Sequence, residues 1–269
     1  MKQWRQDLGI SSIAWEPTDD LAIAEALMSK SIINVDLAPT KYFGWTDPEA
    51  ISKAKEIRKF WNASGISIRG MQSLLFGTQQ PSIFNRNDWR FLVNHFKRVA
   101  DISEALGSTK LVFGSPQNRR LGTLDMSQGI DIAQEFFFNL GENLSSQGQT
   151  LLIEPNPRQY NCDFITTTVE AIDFVKTIGL ANVRVQLDLG TCYFNQEDPI
   201  ALVTENEKWL GYVHLAAEHL LPLHSAPNAT LKTFIRNYEG TLPISIEQKT
   251  DISEKVPYVT KAIDWIDNC

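Results

Sequence analysis

The sequence predicts a single (β/α)8 barrel, in which eight parallel strands alternate with helices along the chain. Three observations support this fold: a length of 269 residues, an alternation of short apolar runs with longer amphipathic segments, and a unit that recurs about every 30 residues. An open, doubly wound sheet is the alternative arrangement, but eight such units favour a closed barrel. No linker and no break in composition divides the chain, so residues 1–269 are expected to form one domain.

Eight short apolar runs are the candidate strands. Most of them are continuous rather than alternating, as expected for parallel strands that are covered on both faces. In chain order the candidates are Leu8–Ala14, Ile32–Ala38, Ile66–Gln72, Thr109–Gly114, Thr150–Glu154, Val183–Asp188, Gly211–Leu215 and Pro243–Glu247.

Helices are indicated between these strands by apolar stripes at helical spacing. One stripe comprises Trp89, Val93, Phe96 and Ala100, and a second comprises Ile130, Ala133, Phe137, Leu140 and Leu144. Start signals are Asp47-Pro48-Glu49, the capping box of Thr167 and Glu170, and an acidic variant of that box at Asp251 and Glu254. Glycines that are expected to end helices in the left-handed conformation are Gly65, Gly107, Gly148, Gly179 and Gly240.

Composition narrows the function classes. The net charge of −7 disfavours a nucleic-acid partner, because an acidic surface repels phosphate backbones. No run approaches the ~18 apolar residues that span a bilayer, and the N-terminus lacks the apolar core of a signal peptide. The three scattered cysteines, Cys162, Cys192 and Cys269, form no CxxC pair, so a reduced, cytoplasmic protein is expected.

Ionisable residues end the last four predicted strands. Glu154, Asp188, His214 and Glu247 each lie on an otherwise apolar run, and Asn156 follows the first of them. A lone residue of this kind usually caps a helix, pairs with a surface cation or is a satisfied core histidine. Independent caps need not fall on four successive strands, however, and chemistry in this fold takes place where strands end. The joint pattern therefore predicts one shared site.

A divalent metal is expected at this site. Neighbouring strands lie only ~4.8 Å apart, so the three carboxylates would repel one another and raise one another's pKa values. A cation removes this conflict, and oxygen ligands with one imidazole suit Mn²⁺ or Mg²⁺ better than a structural zinc.

At these residues the chain resembles the xylose isomerase-like TIM-barrel superfamily, over nearly its whole length. The order Glu, Asp, His, Glu is similar to the metal site of ketose 3-epimerases, and the segments APTKYF, LLFG, FGSPQNRR and IEPNP resemble a sugar phosphate isomerase/epimerase-like branch. The resemblance implies that Glu154 and Glu247 are metal ligands and also the acid/base pair. It implies that Asp188 and His214 are ligands only.

The chain departs from the epimerases around this core. Thr191, Ala217 and Leu220 stand where the epimerases carry His, Glu and Arg, respectively, and Glu218 and His219 are shifted from those positions. The substrate-binding shell is therefore expected to differ. The related AP endonucleases use additional His and Asp ligands, and with only four histidines this chain fits that activity poorly.

Further residues near predicted strand ends are candidates for binding substrate. Asn118, Arg119 and Arg120 follow the fourth strand, where an arginine could bind a phosphate or carboxylate; Asn156 and Lys249 follow the fifth and eighth. For each arginine and for the lysine, a surface role is the alternative.

Aromatic and loop residues extend this set. Trp15, Tyr42 and Phe43 could stack on a sugar ring, with core packing as the alternative for each. Lys41 could reach the mouth of the barrel, and His224 could belong to a lid or to an ordinary loop.

These residues predict an isomerase or epimerase that acts on a small sugar, ketose or sugar phosphate by removing a proton next to a carbonyl. A dehydratase of an inosose-like polyol ketone and a metal-free, non-catalytic sugar-binding barrel are the alternatives. The expected partner is a small sugar-like molecule, not a nucleic acid or a membrane, and a homo-oligomer is left open.

Overall fold

The strands close into one parallel barrel. The computed structural model describes residues 2–225, 229–249 and 253–269. Each strand pairs in parallel with the next one along the chain, and the first pairs with the last. The strands are β1 (Gly9–Ser11), β2 (Asn34–Leu37), β3 (Ser67–Met71), β4 (Lys110–Phe113), β5 (Thr150–Ile153), β6 (Val183–Asp188), β7 (Leu210–Ala216) and β8 (Ile244–Glu247).

Helices follow each strand and surround the barrel. A short helix precedes β1, and the connection after β6 contains two helices. The helices are α1 (Gln3–Gln6), α2 (Asp20–Ser29), α3 (Ala50–Ala63), α4 (Trp89–Leu106), α5 (Met126–Ser145), α6 (Thr168–Ile178), α7 (Leu189–Asn195), α8 (Pro199–Asn206), α9 (Ala229–Asn237) and α10 (Lys255–Asp267). None of the helices described is long and apolar enough to cross a membrane. The predicted (β/α)8 barrel is confirmed.

The core has two layers because every strand is covered on both faces. Apolar side chains between the strands and the helices form the large outer layer. Inside the barrel, Val112, Leu152 and Tyr212 form a smaller cluster. Polar residues such as Asp36 and Gln186 are also buried inside, close to the strand ends. The continuous apolar runs of the sequence thus reflect burial on both sides of the sheet.

Most predicted strand bounds are within one or two residues of those in the structure, but the end of the first strand and the start of the third helix differ more. The first strand is shorter than Leu8–Ala14, because Ser12–Ala14 turns into a 3₁₀ helix after β1. Helix α3 begins at Ala50, after Asp47-Pro48-Glu49, and the Asp47 carboxylate instead accepts the Glu49 N–H at 2.9 Å in the preceding turn. The capping box of Thr167 and Glu170 is confirmed, whereas Asp251 lies outside the described residues.

The predicted stripes and glycines are mostly confirmed. Val93 and Ile130 are corrections: both are exposed, because they lie at the margins of the buried faces of α4 and α5. Gly240 is also a correction, since it is not among the glycines with positive φ, which include Gly65, Gly107, Gly148 and Gly179. A Cβ at Gly240 would instead lie 2.5 Å from the Tyr238 hydroxyl oxygen, so close packing accounts for this glycine.

Candidate active site at the carboxyl ends of the strands

Four ionisable side chains converge at the carboxyl end of the barrel. Glu154, Asp188, His214 and Glu247 come from or directly follow β5, β6, β7 and β8, and each offers one ligand atom within 4.8 Å of the others. Asp188 and His214 are buried, and the two glutamates are mostly buried. The structure therefore brings together the four residues that the strand-end pattern singled out.

His214 lies between the two glutamates. Its Nδ1 is 3.3 Å from Glu247 Oε2 and 3.5 Å from Glu154 Oε1, although neither contact has the geometry of a hydrogen bond. Burial opposes protonation of the ring, but attraction to Glu247 and Glu154 outweighs it and raises the pKa of His214 well above its usual value. For Glu247 the balance is reversed. Burial acts to raise its pKa, but attraction to His214 and a hydrogen bond from Gln72 outweigh burial, so the pKa of Glu247 is lowered.

Asp188 divides its two oxygens between the backbone and the site. Oδ1 accepts the Thr191 N–H at 2.7 Å and so caps α7, while Oδ2 is buried without a hydrogen-bond partner. Burial, reinforced by repulsion from Glu154 and Glu247, raises the pKa of Asp188 to about 7. The crowding of three carboxylates around the unsatisfied Asp188 Oδ2 thus favours a proton or a cation there.

Glu154 is held by the loops around it. Its carbonyl accepts hydrogen bonds from Arg119 Nη2 at 2.8 Å and from Asn156 Nδ2 at 3.0 Å. Its carboxylate passes directly over Gly114, where a Cβ would lie 2.3 Å from Oε2. Only glycine at position 114 therefore leaves room for Glu154 in this orientation.

Glu247 is held by residues that the sequence analysis missed. Gln72 donates from Nε2 to Glu247 Oε1 at 2.7 Å, and Ser11 donates to Gln72 Oε1 at 2.6 Å. Asp36, also missed, lies below His214 inside the barrel. Gln72 follows β3, and Asp36 interrupts an apolar run on β2. The same strand-end rule that identified Glu154 could have found both residues, had it been applied to the first half of the chain.

A cavity of about 390 Å³ is lined by Glu154, Asp188 and Glu247, while His214 is buried beneath them. The loops after β5 and β7 contribute an aromatic wall, in which the Tyr160 and His219 ring centres are 5.7 Å apart. The Tyr160 oxygen accepts the His219 N–H at 2.9 Å, and burial raises the pKa of Tyr160 to about 12. Thr191, Ala217 and Leu220, at the positions that differ from the epimerases, also line the cavity.

Of the residues predicted to bind substrate, only Asn156 lies at the cavity. Asn118 is buried and donates to the Pro81 carbonyl at 2.7 Å, and Arg119 is fully buried behind Glu154. Lys249 is exposed and lies outside the cavity lining. Trp15 is buried, because its indole N–H donates to Asp20 at 2.7 Å and the turn after β1 directs its ring into the core.

None of the remaining candidates lines the cavity. Lys41 binds the Trp15 carbonyl and pairs with Glu16, and the Tyr42 hydroxyl donates to Asp20 at 3.0 Å. Phe43 is buried and Arg120 is exposed. The His224 ring packs against Tyr258 with centres 5.9 Å apart. Arg120 and His224 are not among the residues that line the cavity.

The donor set fits a divalent cation. It supplies three carboxylates and one imidazole within a few ångströms, and Glu154 Oε1 and Asp188 Oδ2 are buried without a hydrogen-bond partner. Hard oxygen donors with a single nitrogen suit Mn²⁺ or Mg²⁺. A positive charge at this point would offset the repulsion that raises the pKa of Asp188.

The chain belongs to the family of xylose isomerase-like TIM barrels, which matches residues 31–269. Its fold is similar to that of 3-keto-D-glucoside 4-epimerase from E. coli, with a TM-score of 0.79, 14% identity, and coverage of 98% of this chain and 99% of that one. D-psicose 3-epimerase from Clostridium cellulolyticum H10 has a TM-score of 0.68 and 15% identity, with 100% and 99% covered.

A third similar structure is that of the probable 3-DHS dehydratase from Bacillus anthracis. Its TM-score is 0.72 at 11% identity, and the match covers 97% of this chain and 99% of that one. No curated protein matches this chain in sequence. At these identities the likeness establishes the shared barrel, on which both epimerases and a dehydratase occur.

Proposed function

We propose that this protein is a divalent-metal-dependent isomerase or epimerase that acts on a small sugar. The observation that carries the proposal is the convergence of Glu154, Asp188, His214 and Glu247, with ligand atoms within 4.8 Å, at the base of an open cavity. Epimerases of the same fold support it. Mn²⁺ and Mg²⁺ are the cations that this donor set favours.

Each residue has a role in this scheme. Asp188 and His214 would hold the cation, and Glu154 and Glu247, on the strands on either side of them, would complete the ligand set. When bound, the cation would polarise the substrate carbonyl and acidify the neighbouring C–H bond. One glutamate then accepts the proton from carbon, and the other delivers a proton taken from solvent to the opposite face; proton exchange with solvent afterwards returns both glutamates to their starting states. The configuration at that carbon is thereby inverted.

The cavity wall favours an uncharged sugar over a sugar phosphate. Asn156 and Thr191 offer polar groups, and the Tyr160 and His219 rings offer faces that suit the C–H side of a sugar. No lysine or arginine lines the cavity among the described residues, and Arg119 is buried behind Glu154. A phosphate would therefore lack a bidentate partner within this cavity.

The test compares Glu154→Gln and Glu247→Gln with the wild-type enzyme. The substrates are a panel of ketoses, their phosphate esters and 3-keto-glycosides, assayed with Mn²⁺ in D₂O. Each variant should lose activity by about 10²–10⁴-fold, because the amide keeps the volume but cannot accept the proton. Wild-type product should carry solvent deuterium at the carbon next to the carbonyl.

Excess Mn²⁺ separates the two roles of each glutamate. If a glutamate acts as the base, saturating Mn²⁺ should not restore the rate of its glutamine variant; if it is only a ligand, most of the rate should return. Product without any deuterium would point to a hydride shift and contradict proton abstraction. Release of water from a polyol ketone would instead indicate a dehydratase. A barrel of the same fold is a probable dehydratase, which makes this the second candidate reaction.

A further inference from the structure

His214, one of the four clustered residues, directs its second ring nitrogen into the interior of the barrel. Nδ1 faces Glu154 and Glu247, so it is the nitrogen available to a cation. Nε2 points the other way, toward Asp36 Oδ2 at 4.0 Å. The His214 side chain is fully buried, and neither ring nitrogen has a hydrogen-bond partner. A buried N–H without an acceptor is destabilising, so Nε2 requires a partner when it carries a proton.

Asp36 is the acceptor that the structure places against Nε2. The separation of 4.0 Å is about 1 Å longer than a direct hydrogen bond, a gap that a small ring movement or a bridging water closes. An ionised carboxylate accepts about four hydrogen bonds. Asp36 uses its oxygens for the Tyr212 hydroxyl, at 2.8 and 3.0 Å, and retains capacity for a further donor.

Two residues, Tyr212 and Gly70, fix the orientation of the Asp36 carboxylate. Tyr212 is fully buried and lies two residues before His214 on β7, with its ring 5.7 Å from the imidazole at an angle of 78°. On β3, Gly70 lies directly under the carboxylate, where a Cβ would be 2.5 Å from Asp36 Oδ1. The hydrogen bond from Tyr212 and the space left by Gly70 thus direct the Asp36 carboxylate toward His214. Simple core packing does not require this arrangement.

We propose that Asp36, clamped by Tyr212 over Gly70, is a positioning residue that holds the His214 imidazole with Nε2 protonated and Nδ1 directed at the cation. Metal-bound histidines generally donate their other N–H to a carboxylate or carbonyl, which orients the ring and raises its basicity. The inference rests on the proposed metal site, but not on the identity of the sugar or on the reaction.

The first experiment measures Mn²⁺ affinity by the electron paramagnetic resonance signal of the free ion, without any sugar. Asp36→Ala should weaken Mn²⁺ binding by about 10–100-fold. Asp36→Asn should weaken it less, because its amide oxygen can still accept the Nε2 proton. Tyr212→Phe should also weaken binding, because it releases Asp36. Tyr238→Phe is the matched control: Tyr238 is equally buried and its hydroxyl accepts the Leu242 N–H at 2.8 Å, but its described contacts do not involve His214.

The second measurement reports the hydrogen bond itself. In the Co²⁺-loaded protein, the Nε2 proton of a coordinated imidazole gives a paramagnetically shifted resonance that disappears in D₂O. That resonance should be present in the wild type, absent in His214→Ala, and broadened by faster solvent exchange in Asp36→Ala. Circular dichroism establishes that each variant is folded.

The outcomes are distinct. A folded Asp36→Ala protein with wild-type Mn²⁺ affinity and an unchanged proton resonance overturns the role of Asp36 and leaves the metal site intact. A wild type that binds neither Mn²⁺ nor Co²⁺ overturns both this inference and the metal dependence of the proposed function. A wild type that binds metal as described but converts no sugar contradicts the proposed function alone.

Discussion

Gly114→Ala tests how closely the ligand set depends on the loop after β4. The new Cβ would lie 2.3 Å from Glu154 Oε2, whereas ordinary van der Waals contact begins at 3.4 Å, so the carboxylate must move by about 1 Å. Ligand distances in a metal site tolerate only about ±0.2 Å. We therefore expect Mn²⁺ to bind about 10–100-fold more weakly, a loss comparable to that of a displaced supporting residue.

Thermal melting in the presence of Mn²⁺ gives this loss as a free energy. At a concentration of 100 times the wild-type Kd, Mn²⁺ should stabilise the wild-type fold by about 2.7 kcal/mol. A 10-fold weaker site retains about 1.4 kcal/mol of that stabilisation, and a 100-fold weaker site about 0.4 kcal/mol. Without metal, the variant should melt close to the wild type, because position 114 is not among those with positive φ and the clash involves a side-chain terminus.

Gly44→Ala is the matched control for this variant. A Cβ at position 44 meets nothing within 4 Å, and Gly44 is likewise not among the glycines with positive φ. It should therefore show the full stabilisation by Mn²⁺. Equal metal-dependent shifts in Gly114→Ala and Gly44→Ala would refute the idea that the space above Gly114 positions Glu154 for a cation.

Three further predictions use other parts of the chain. His214→Ala should abolish most of the Mn²⁺-dependent rise in melting temperature, and a shift equal to that of the wild type would reject His214 as a ligand. Tyr160→Phe should cost about 1 kcal/mol of stability and raise KM for the sugar, because it removes the acceptor for the His219 N–H; an unchanged KM in steady-state assays would exclude a role in binding.

The third of these concerns His95, whose pKa is lowered by burial. The unfolded chain binds a proton near pH 6.5 and the native state only at lower pH, so stability falls on acidification below that value, by at most about 1.4 kcal/mol per pH unit. His95→Gln removes the titrating group but keeps a donor for the Leu74 carbonyl. The free energy of unfolding, measured by denaturant titration between pH 5 and 7, should therefore depend less on pH than in the wild type. An identical slope would contradict this account.

The barrel could be predicted because its signals are local. Continuous apolar runs report burial on both faces of a strand, and the Thr167 capping box and the glycines at positions 107 and 179 report helix ends within a few residues. Element bounds were less well determined at Ser12, where the strand gives way to a 3₁₀ helix, and at Asp47, where a turn and a helix start share the same residue types. The four-residue site followed from the same local reasoning, because parallel strands place their carboxyl ends at one end of the barrel.

The sequence by itself thus determined the succession of strands and helices and the end of the barrel at which Glu154, Asp188, His214 and Glu247 meet. Only the tertiary structure decided what surrounds them. The barrel interior brings Gln72, itself supported by Ser11, to Glu247, and it brings Asp36 and Tyr212 under His214. Gln72 and Glu247, like Asp36 and Tyr212, are more than 170 residues apart in the sequence.

The same holds for residues that the structure moved away from the cavity. Trp15 and Arg119 have the chemistry to bind a sugar or an anion, but the direction of each side chain is set by the turn it lies in and by the acceptors that turn provides. Asp20 holds the Trp15 indole in the core, and the Glu154 carbonyl holds the Arg119 guanidinium behind the site. Residue type and spacing determine which strand end a polar side chain occupies. The stagger of the strands, the closure of the barrel and the need to satisfy buried hydrogen bonds determine the direction in which that side chain points.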